Sequence, residues 1–392
     1  MYDRRIKVLH IQTRLIAAGA DENTLFTVAE VDPTRFESTL LVGSDSEIVD
    51  KMRKKGLNIV VEQNLKRDIH PISDIKALWS IVRYLKNSNY DIVHTHTAKA
   101  GFIGRLAAKL VGVPIIIHTL HGLSFHEFMS KWQRLLYIHM EKFVGNFTDI
   151  FISVGENIKR IAINEGLGDK SKFITIYSGM DLKCFKKKNI NEKELRTELG
   201  LNKDKILIGT VARLEKRKGT HYFIEVLKKI ILTNSDILGV IVGEGSERSN
   251  LENQVEELGL YKYVKFTGFR EDIAEVMSLF DIICLTSLWE GIPRVLIQGA
   301  ALGKPLVAFD IDGNSEIIRD ELNGFLITPI NLNEFSRKVI NLVNDQELRN
   351  KMSEQSKNIV DDRWDKNKMV TEIEKLYLKL YTRKIIHKLI IK

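Results

Sequence analysis

Residues 281–310, DIICLTSLWEGIPRVLIQGAALGKPLVAFD, are the most informative stretch of this 392-residue chain. A run apolar on both faces ends near Ser287. A short turn then carries Trp289, Glu290 and Gly291, a helical pattern covers 293–302, and a second apolar run fills 305–310. Strands apolar on both faces belong inside a parallel sheet covered by helices. Proline is favoured at the first helical position, where its missing amide proton costs nothing, so the helix is expected to begin near Pro293. The free amides of such a helix start, together with its dipole, make an anion site. Glu290 lies just before that start and Gln298 more than one turn inside, both placed to reach a ligand seated over it. An ordinary crossover with a solvated glutamate has the same pattern, so the segment alone leaves two readings open.

The same strand–helix alternation extends in both directions. Strands are expected at 6–13, 39–43, 91–96, 113–119, 149–154 and 172–177, and again at 206–212, 237–243, 264–268, 281–287, 305–310 and 324–328. Helical patterns fill the gaps, for example 100–111, 130–145, 219–233 and 246–258. Two such series predict two doubly wound α/β domains, with ligand groups at the C-terminal ends of the strands facing a cleft. The length suits two cores. The expected division is 1–185 and 200–363, separated by a polar, charge-dense stretch at 181–205, with 364–392 as a long C-terminal helix.

Composition narrows the classes. A hydrophobic content of 44% excludes a disordered chain. The two cysteines, Cys184 and Cys284, fall one in each half. They offer neither a disulfide framework nor metal-ligand spacing, so a cytoplasmic setting is expected. The chain enters a strand pattern directly from MYDRRIKVLHIQT, and no apolar run approaches the roughly 18–20 residues of a spanning helix, so no membrane crossing is expected. The net charge of +8 is uneven: residues 1–188 carry 28 Lys+Arg against 20 Asp+Glu, and the remainder is balanced at 31 against 31. A basic first half suits an anionic partner, though scattered surface lysines would give the same sum.

Three further strand ends carry candidate chemistry. In ILIGTVARLEKRKG (206–219), Arg213 and Lys218 flank a tight loop, a fork and a mobile point charge that suit a diphosphate. Lys216 and Arg217 in the same loop leave a plain basic surface equally open. In TRLIAAGADENTL (13–25), Gly19 lies in a loop before a helix that begins near Asp21 or Glu22, where backbone can approach a ligand closely. It is no GxGxxG, so a dinucleotide fingerprint is lacking. In HTLHGLSFH (118–126), His121 before Gly122 could place an imidazole to bind hydroxyls. His118, His121 and His126 have no metal-binding pattern, and His94 and His96 in DIVHTH read as packed or hydrogen-bonded groups. Asp310-Ile311-Asp312 spells DxD but ends a strand and reads as a loop. Ser153 and Ser178 lack a nucleophile-elbow context.

Taken in order, TRLIAAGADENTL, DIVHTHTAKAGFIGRLAA, HTLHG, VARLEKRKG, VGEG, FTGFR and LWEGIPRVLIQGAALGKPLV resemble glycosyltransferase family 4, the retaining enzymes of GT-B fold. The resemblance spans almost the whole chain. It implies that Arg213 and Lys218 bind the donor diphosphate and that Glu290 contacts the donor sugar. The backbone of Gly291, Ile292, Pro293 and Arg294 helps hold sugar and phosphate, and Gln298 stands where a second glutamate usually binds ribose hydroxyls. His121 lies by the sugar on the acceptor side, Gly19 sits next to the phosphate, and the segments around Gly243 and Arg270 form the wall for base and ribose. Two departures are visible: Ala18-Gly19 replaces a glycine pair, and Gln298 replaces a glutamate. An amide still hydrogen-bonds ribose, but without the charge-assisted bond, which is about twice as strong.

The function expected is transfer of a sugar from a UDP- or GDP-sugar to a hydroxyl of a glycan or lipid-linked acceptor in cell-surface polysaccharide synthesis. Retention of configuration is expected, with no metal, no cofactor and no nucleic-acid partner. In the tail YTRKIIHKLIIK, Ile385, Ile386, Leu389 and Ile390 form one helical stripe among cations, a pattern that suits an anionic membrane face, as does KMRKK (51–55). A stripe packed on the first domain fits equally. A non-hydrolysing sugar-nucleotide epimerase and a non-catalytic sugar-nucleotide binder are the alternatives.

Overall fold

The structure is a computed structural model that describes residues 4–15, 19–186, 191–202 and 204–391, without the side chains of residues 20, 186 and 385–391. The chain divides into two units, residues 1–180 with 362–392, and residues 181–361.

In the first unit, β1 (Ile6–Gln12), α1 (Gly19–Glu30), β2 (Phe36–Val42), α2 (Glu47–Lys54), β3 (Asn58–Val61), α3 (Pro71–Ser88), β4 (Ile92–His96), α4 (Ala98–Val111), β5 (Ile115–Leu120), α5 (Lys131–Gly145), β6 (Ile150–Ser153), α6 (Glu156–Asn164) and β7 (Phe173–Thr175) follow in order. Their strands form a seven-stranded sheet in the order β3-β2-β1-β4-β5-β6-β7, parallel throughout. The second unit contains α7 (Glu192–Glu198), β8 (Ile206–Val211), α8 (Thr220–Ile231), β9 (Ile237–Val242), α9 (Arg248–Glu257), β10 (Val264–Gly268), α10 (Ile273–Ser278), β11 (Ile282–Leu285), α11 (Arg294–Ala301), β12 (Leu306–Phe309), β13 (Gly324–Ile327), α12 (Leu332–Asn344) and α13 (Gln346–Ile359). Its sheet has six parallel strands in the order β10-β9-β8-β11-β12-β13. The last helix, α14 (Lys366–Ile391), belongs to the first unit.

Strand alternation sorts the first sheet's side chains onto two faces. Leu9, Ile11, Val93 and Ile116 pack against α3 and α4 through Ala77, Ile81, Ala100 and Ala107. Ile6, Val8, Ile92 and Ile117 pack on the other face against Met369, Val370, Ile373 and Tyr377 of α14. The returning helix is therefore half of a core, and its stripe at 369, 370, 373 and 377 has the helical spacing that packing requires. Lys384 reaches Asp149 of the same unit at 3.2 Å. The expected apolar stripe from Ile385 to Ile390 lies outside the described side chains. Among the described residues no helix is long and apolar enough to cross a membrane.

Four local expectations are corrected. β3 was not anticipated, because NIVV is a short edge strand that only its pairing with β2 makes recognisable. The stretch at 181–205 contains α7, capped by Asn191, whose side chain accepts from the Glu194 amide. Gly19 is the first residue of α1 rather than a loop residue, while residues 16–18, including Ala18, lie outside the described part. Pro293 is the N-cap of α11, with the Leu296 amide bonded to its carbonyl at 3.0 Å, so Arg294 is the first helical residue.

Candidate active site

In the second unit the sheet order reverses between β8 and β11, and the loops that follow these two strands carry the candidate donor residues. The chain after β8 is tied to the chain after β9: the Leu214 amide donates to Glu244 O at 2.9 Å and the Glu247 amide to Leu214 O at 2.9 Å. Residues 216–218 make one tight turn that ends at Gly219 with φ 61°. A Cβ at Gly219 would lie 2.1 Å from Thr286 O, so glycine answers both the backbone and the space. The Thr286 hydroxyl donates to Gly219 O at 2.9 Å, and the Leu288 amide donates to Arg217 O at 2.9 Å. These bonds stitch the cationic loop to the turn that bears Glu290.

Charges in these loops interlock. Lys218 Nζ pairs with Glu290 Oε1, and Arg217 Nη1 stands 3.8 Å from Glu290 Oε2. Arg217 Nε also pairs with Glu215 at 3.1 Å, and Arg213 Nη1 meets the other oxygen of Glu215 at 2.8 Å. The Glu290 side chain is only 9% exposed. Burial pushes its pKa up, but Lys218 and Arg217 overcome that and hold it below the usual carboxylate value. Burial lowers the Lys218 pKa despite Glu290. The Glu290 amide donates to Asp312 Oδ2 at 2.7 Å. Asp312, expected only as a loop residue, thus buttresses the turn, at a φ of 37°.

Of the residues singled out in this unit, Arg213, Lys218 and Glu290 come together through Glu215 and Arg217. Gly291 and Ile292 lead from Glu290 to Pro293 and Arg294, and Gln298 lies half-buried on α11. Gly243 closes β9 with φ 132°, and a Cβ there would sit 1.9 Å from Ala212 O, next to Arg213. Arg270 is elsewhere engaged. Its guanidinium holds Asp272 at 2.7 Å and Glu198 at 2.7 Å, which raises its pKa.

In the first unit the reversal falls between β1 and β4. His121 follows β5, and its Nε2 lies 3.0 Å from His96 Nδ1. His96 Nε2 is 3.0 Å from His10 Nδ1, His10 Nε2 is 3.4 Å from the Tyr377 hydroxyl, and that hydroxyl is 2.5 Å from His94 Nδ1. His94 Nε2 ends the series at Thr119 Oγ1, 2.7 Å away. Burial lowers the pKa of His10 to about 3 and of His121 to about 4, and pushes His94 and His96 well below the ordinary value. His118 lies on the opposite face of the sheet, 2.9 Å from Thr95 Oγ1, so the three histidines of HTLHGLSFH do not cluster. Ser178 accepts from Asn23 Nδ2 at 2.7 Å and Ser153 donates to Gly155 O at 2.6 Å; both have local structural partners.

The sequence reading missed Arg217, Asp312, His10 and Tyr377 as parts of these sites. Asp312 and Tyr377 reach them through long-range folding. His10 had a usable signal: β1 and β4 are neighbours in any such sheet, and His10 is in register with His94.

Two doubly wound parallel-sheet units, the first completed by the C-terminal helix, are the architecture of a GT-B protein. The chain belongs to glycosyltransferase family 4. The model described as Glycosyltransferase Family 4 matches residues 22–183, and that described as Glycosyl transferases group 1 matches residues 191–359. The chain is 32% identical over 384 residues, 97% of its length and 98% of the relative's, to the UDP-Gal:alpha-D-GlcNAc-diphosphoundecaprenol alpha-1,3-galactosyltransferase of Escherichia coli. It is 27% identical over 359 residues, 90% of this chain and 92% of the other, to the N,N'-diacetylbacillosaminyl-diphospho-undecaprenol alpha-1,3-N-acetylgalactosaminyltransferase of Campylobacter jejuni. Among solved structures, Anabaena HepE in complex with UDP and glucose superposes with a TM-score of 0.82 at 23% identity, over 96% of this chain and all of that one, a likeness of fold.

Proposed function

We propose that this enzyme moves a hexose from a UDP-sugar to a hydroxyl of a sugar carried on a polyprenyl diphosphate, with retention of configuration and without a metal ion, in cell-surface polysaccharide assembly. The observation that carries this reading is the near-full-length similarity to a transferase whose name specifies a UDP-sugar donor and a diphosphoundecaprenol acceptor.

The site chemistry agrees with it. Arg213, Lys218 and the positive end of the α11 dipole would face the charge that develops on a departing diphosphate, and such preorganised groups lower the barrier most where charge forms. Glu290, ionised and held by Lys218 and Arg217, suits hydrogen bonds to donor-sugar hydroxyls better than proton donation. The anomeric C–O bond to the diphosphate breaks and the acceptor oxygen bonds to that carbon on the same face. The acceptor proton passes to a phosphate oxygen of the leaving UDP. Gln298 would contact ribose, Gly19 would stand next to the phosphate, and the segments around Gly243 and Arg270 would line the base and ribose.

The test is incubation with a panel of UDP- and GDP-sugars and a polyprenyl-diphosphate-linked sugar, scored for free nucleoside diphosphate with and without EDTA. Release that needs both substrates and resists EDTA, with an α-linked product from an α-linked donor, agrees with the proposal. Donor interconversion without acceptor identifies an epimerase, and no release with any pair identifies a binder.

A lipid-linked acceptor calls for a membrane-facing surface, and exposed apolar side chains on α3 and α5 support one there. Ile72, Ile75 and Trp79 of α3, and Trp132, Leu135, Leu136 and Phe143 of α5, are each 49–75% exposed, and both helices pack against α4. Exposed Lys76, Arg83, Lys86, Lys131 and Lys142 lie on the same two helices. Apolar side chains with interspersed cations fit an anionic bilayer surface. In vesicle flotation with phosphatidylglycerol, Trp79→Glu with Trp132→Glu is expected to abolish binding while deletion of 383–392 weakens it less. Binding untouched by the double variant contradicts the assignment.

A further inference from the structure

We propose that the tautomer of His121 is set by a buried hydrogen-bond relay through His96, His10, Tyr377 and His94 to Thr119, so that Tyr377 of α14 is a positioning residue for the acceptor site. The inference rests on the transferase function proposed above and on the place by the sugar, on the acceptor side, that the family resemblance implies for His121.

The relay follows from strand register. His94 and His96 alternate on β4 and so share a face. His10 of β1 is the register partner of His94, and Thr119 of β5 that of His96. The ring centroids of His94 and His96 are 4.3 Å apart, and those of His96 and His121 are 5.3 Å apart. Tyr377, fully buried, stands edge-on to His94 and closes the gap between His94 and His10.

Burial keeps all four rings neutral at neutral pH, and a neutral imidazole has one N–H and one lone pair. Each ring that donates from Nε2 must accept at Nδ1. With the Tyr377 proton donated within the series, only two arrangements satisfy every link, and fixing one tautomer fixes all of them. The distances choose between them. The 2.5 Å link suits an O–H donor, so Tyr377 donates to His94 Nδ1, and the 3.4 Å link is His10 Nε2–H donating weakly to the Tyr377 oxygen. His94 Nε2–H then donates to Thr119. In the other direction His96 Nε2–H donates to His10 and His121 Nε2–H donates to His96. His121 is left with a lone pair on Nδ1, an atom with no hydrogen-bond partner among the described residues. That ring accepts from a sugar hydroxyl and does not donate to it. The opposite arrangement would present an N–H instead.

His10, His94 and His96 also have ligand nitrogens within 4.8 Å of one another, the spacing a metal ion would need. The six ring nitrogens already have hydrogen-bond partners in the relay, and a bound ion would take the lone pairs on which it depends.

Tyr377→Phe removes one hydroxyl and keeps the ring. In wild type, nitrogen-15 NMR of histidine-labelled protein is expected to show His121 as a single Nε2–H tautomer. In Tyr377→Phe both tautomers are expected, with kcat lowered roughly three- to tenfold, the weight of one hydrogen bond, and donor KM unchanged. Thr119→Val, which cuts the far end, should shift the tautomer in the same sense by a smaller amount. An unchanged His121 signature in both folded variants overturns the relay, as does stoichiometric zinc in the purified wild-type enzyme. A changed signature with unchanged kcat leaves the relay standing and overturns the placement of His121 by the acceptor.

Discussion

The two units handle polar groups in opposite ways at equivalent places in their sheets. At the β8–β11 reversal of the second unit, full charges interlock: Arg213, Arg217 and Lys218 face Glu215 and Glu290 in partly buried pairs. At the β1–β4 reversal of the first, three buried neutral imidazoles, a half-buried fourth and a phenol pass hydrogen bonds along a line. The difference matches the task each place has in the proposed reaction. A diphosphate needs fixed positive charge, which a partner carboxylate keeps ordered until the ligand arrives. A sugar hydroxyl needs a neutral acceptor atom in the correct tautomer, which a charged neighbour would upset.

That contrast can be broken most severely at Glu290. Glu290→Gln strips the counter-charge from half-buried Lys218 and Arg217, and turnover is expected to fall on the order of 10²-fold, about 2.7 kcal/mol in the barrier. Steady-state kinetics at saturating donor checks this. In the first unit the corresponding lever is acid. His10 has a folded pKa of about 3 against 6.5 in the unfolded chain. Between these values the unfolded state binds more protons, so this contribution to stability is complete above pH 6.5 and is lost as pH falls below it. Urea unfolding at pH 7 and pH 5 should show a loss on the order of 2 kcal/mol from His10 alone, absent from that comparison in His10→Gln.

Gly219→Ala tests whether the cationic loop depends on its glycine. The left-handed backbone and the close Thr286 carbonyl predict a loss of about 2 kcal/mol in urea unfolding. The smallest effect is expected at Gln298. If Gln298 binds ribose as proposed, Gln298→Glu adds a charge-assisted bond and should lower donor KM about threefold with kcat unchanged. An unchanged KM would remove Gln298 from the ribose contact.

Much of this fold was legible in advance because buried parallel strands such as IIIHT and ILGVIV are apolar on both faces. β3 escaped because an edge strand of four residues needs little apolar run. The donor loops were legible because Arg213, Lys218 and Glu290 all lie within a few residues of a strand end. Their coupling was not: Arg217 looked like surface charge until Glu215 and Glu290 were placed around it, and Asp312 supports Glu290 from the end of the next strand. The relay was least visible, since Tyr377 is more than 250 residues from every histidine it joins and reads in sequence as one more apolar position of α14.

In the proposed reaction Lys218 and Arg213 stabilise the departing diphosphate. Lys218→Ala, assayed at saturating UDP-sugar with a polyprenyl-diphosphate-linked acceptor, measures this most directly. A fall in kcat on the order of 10²- to 10³-fold is predicted for the loss of one such preorganised charge; a rate near that of the wild type under the same conditions would contradict the account.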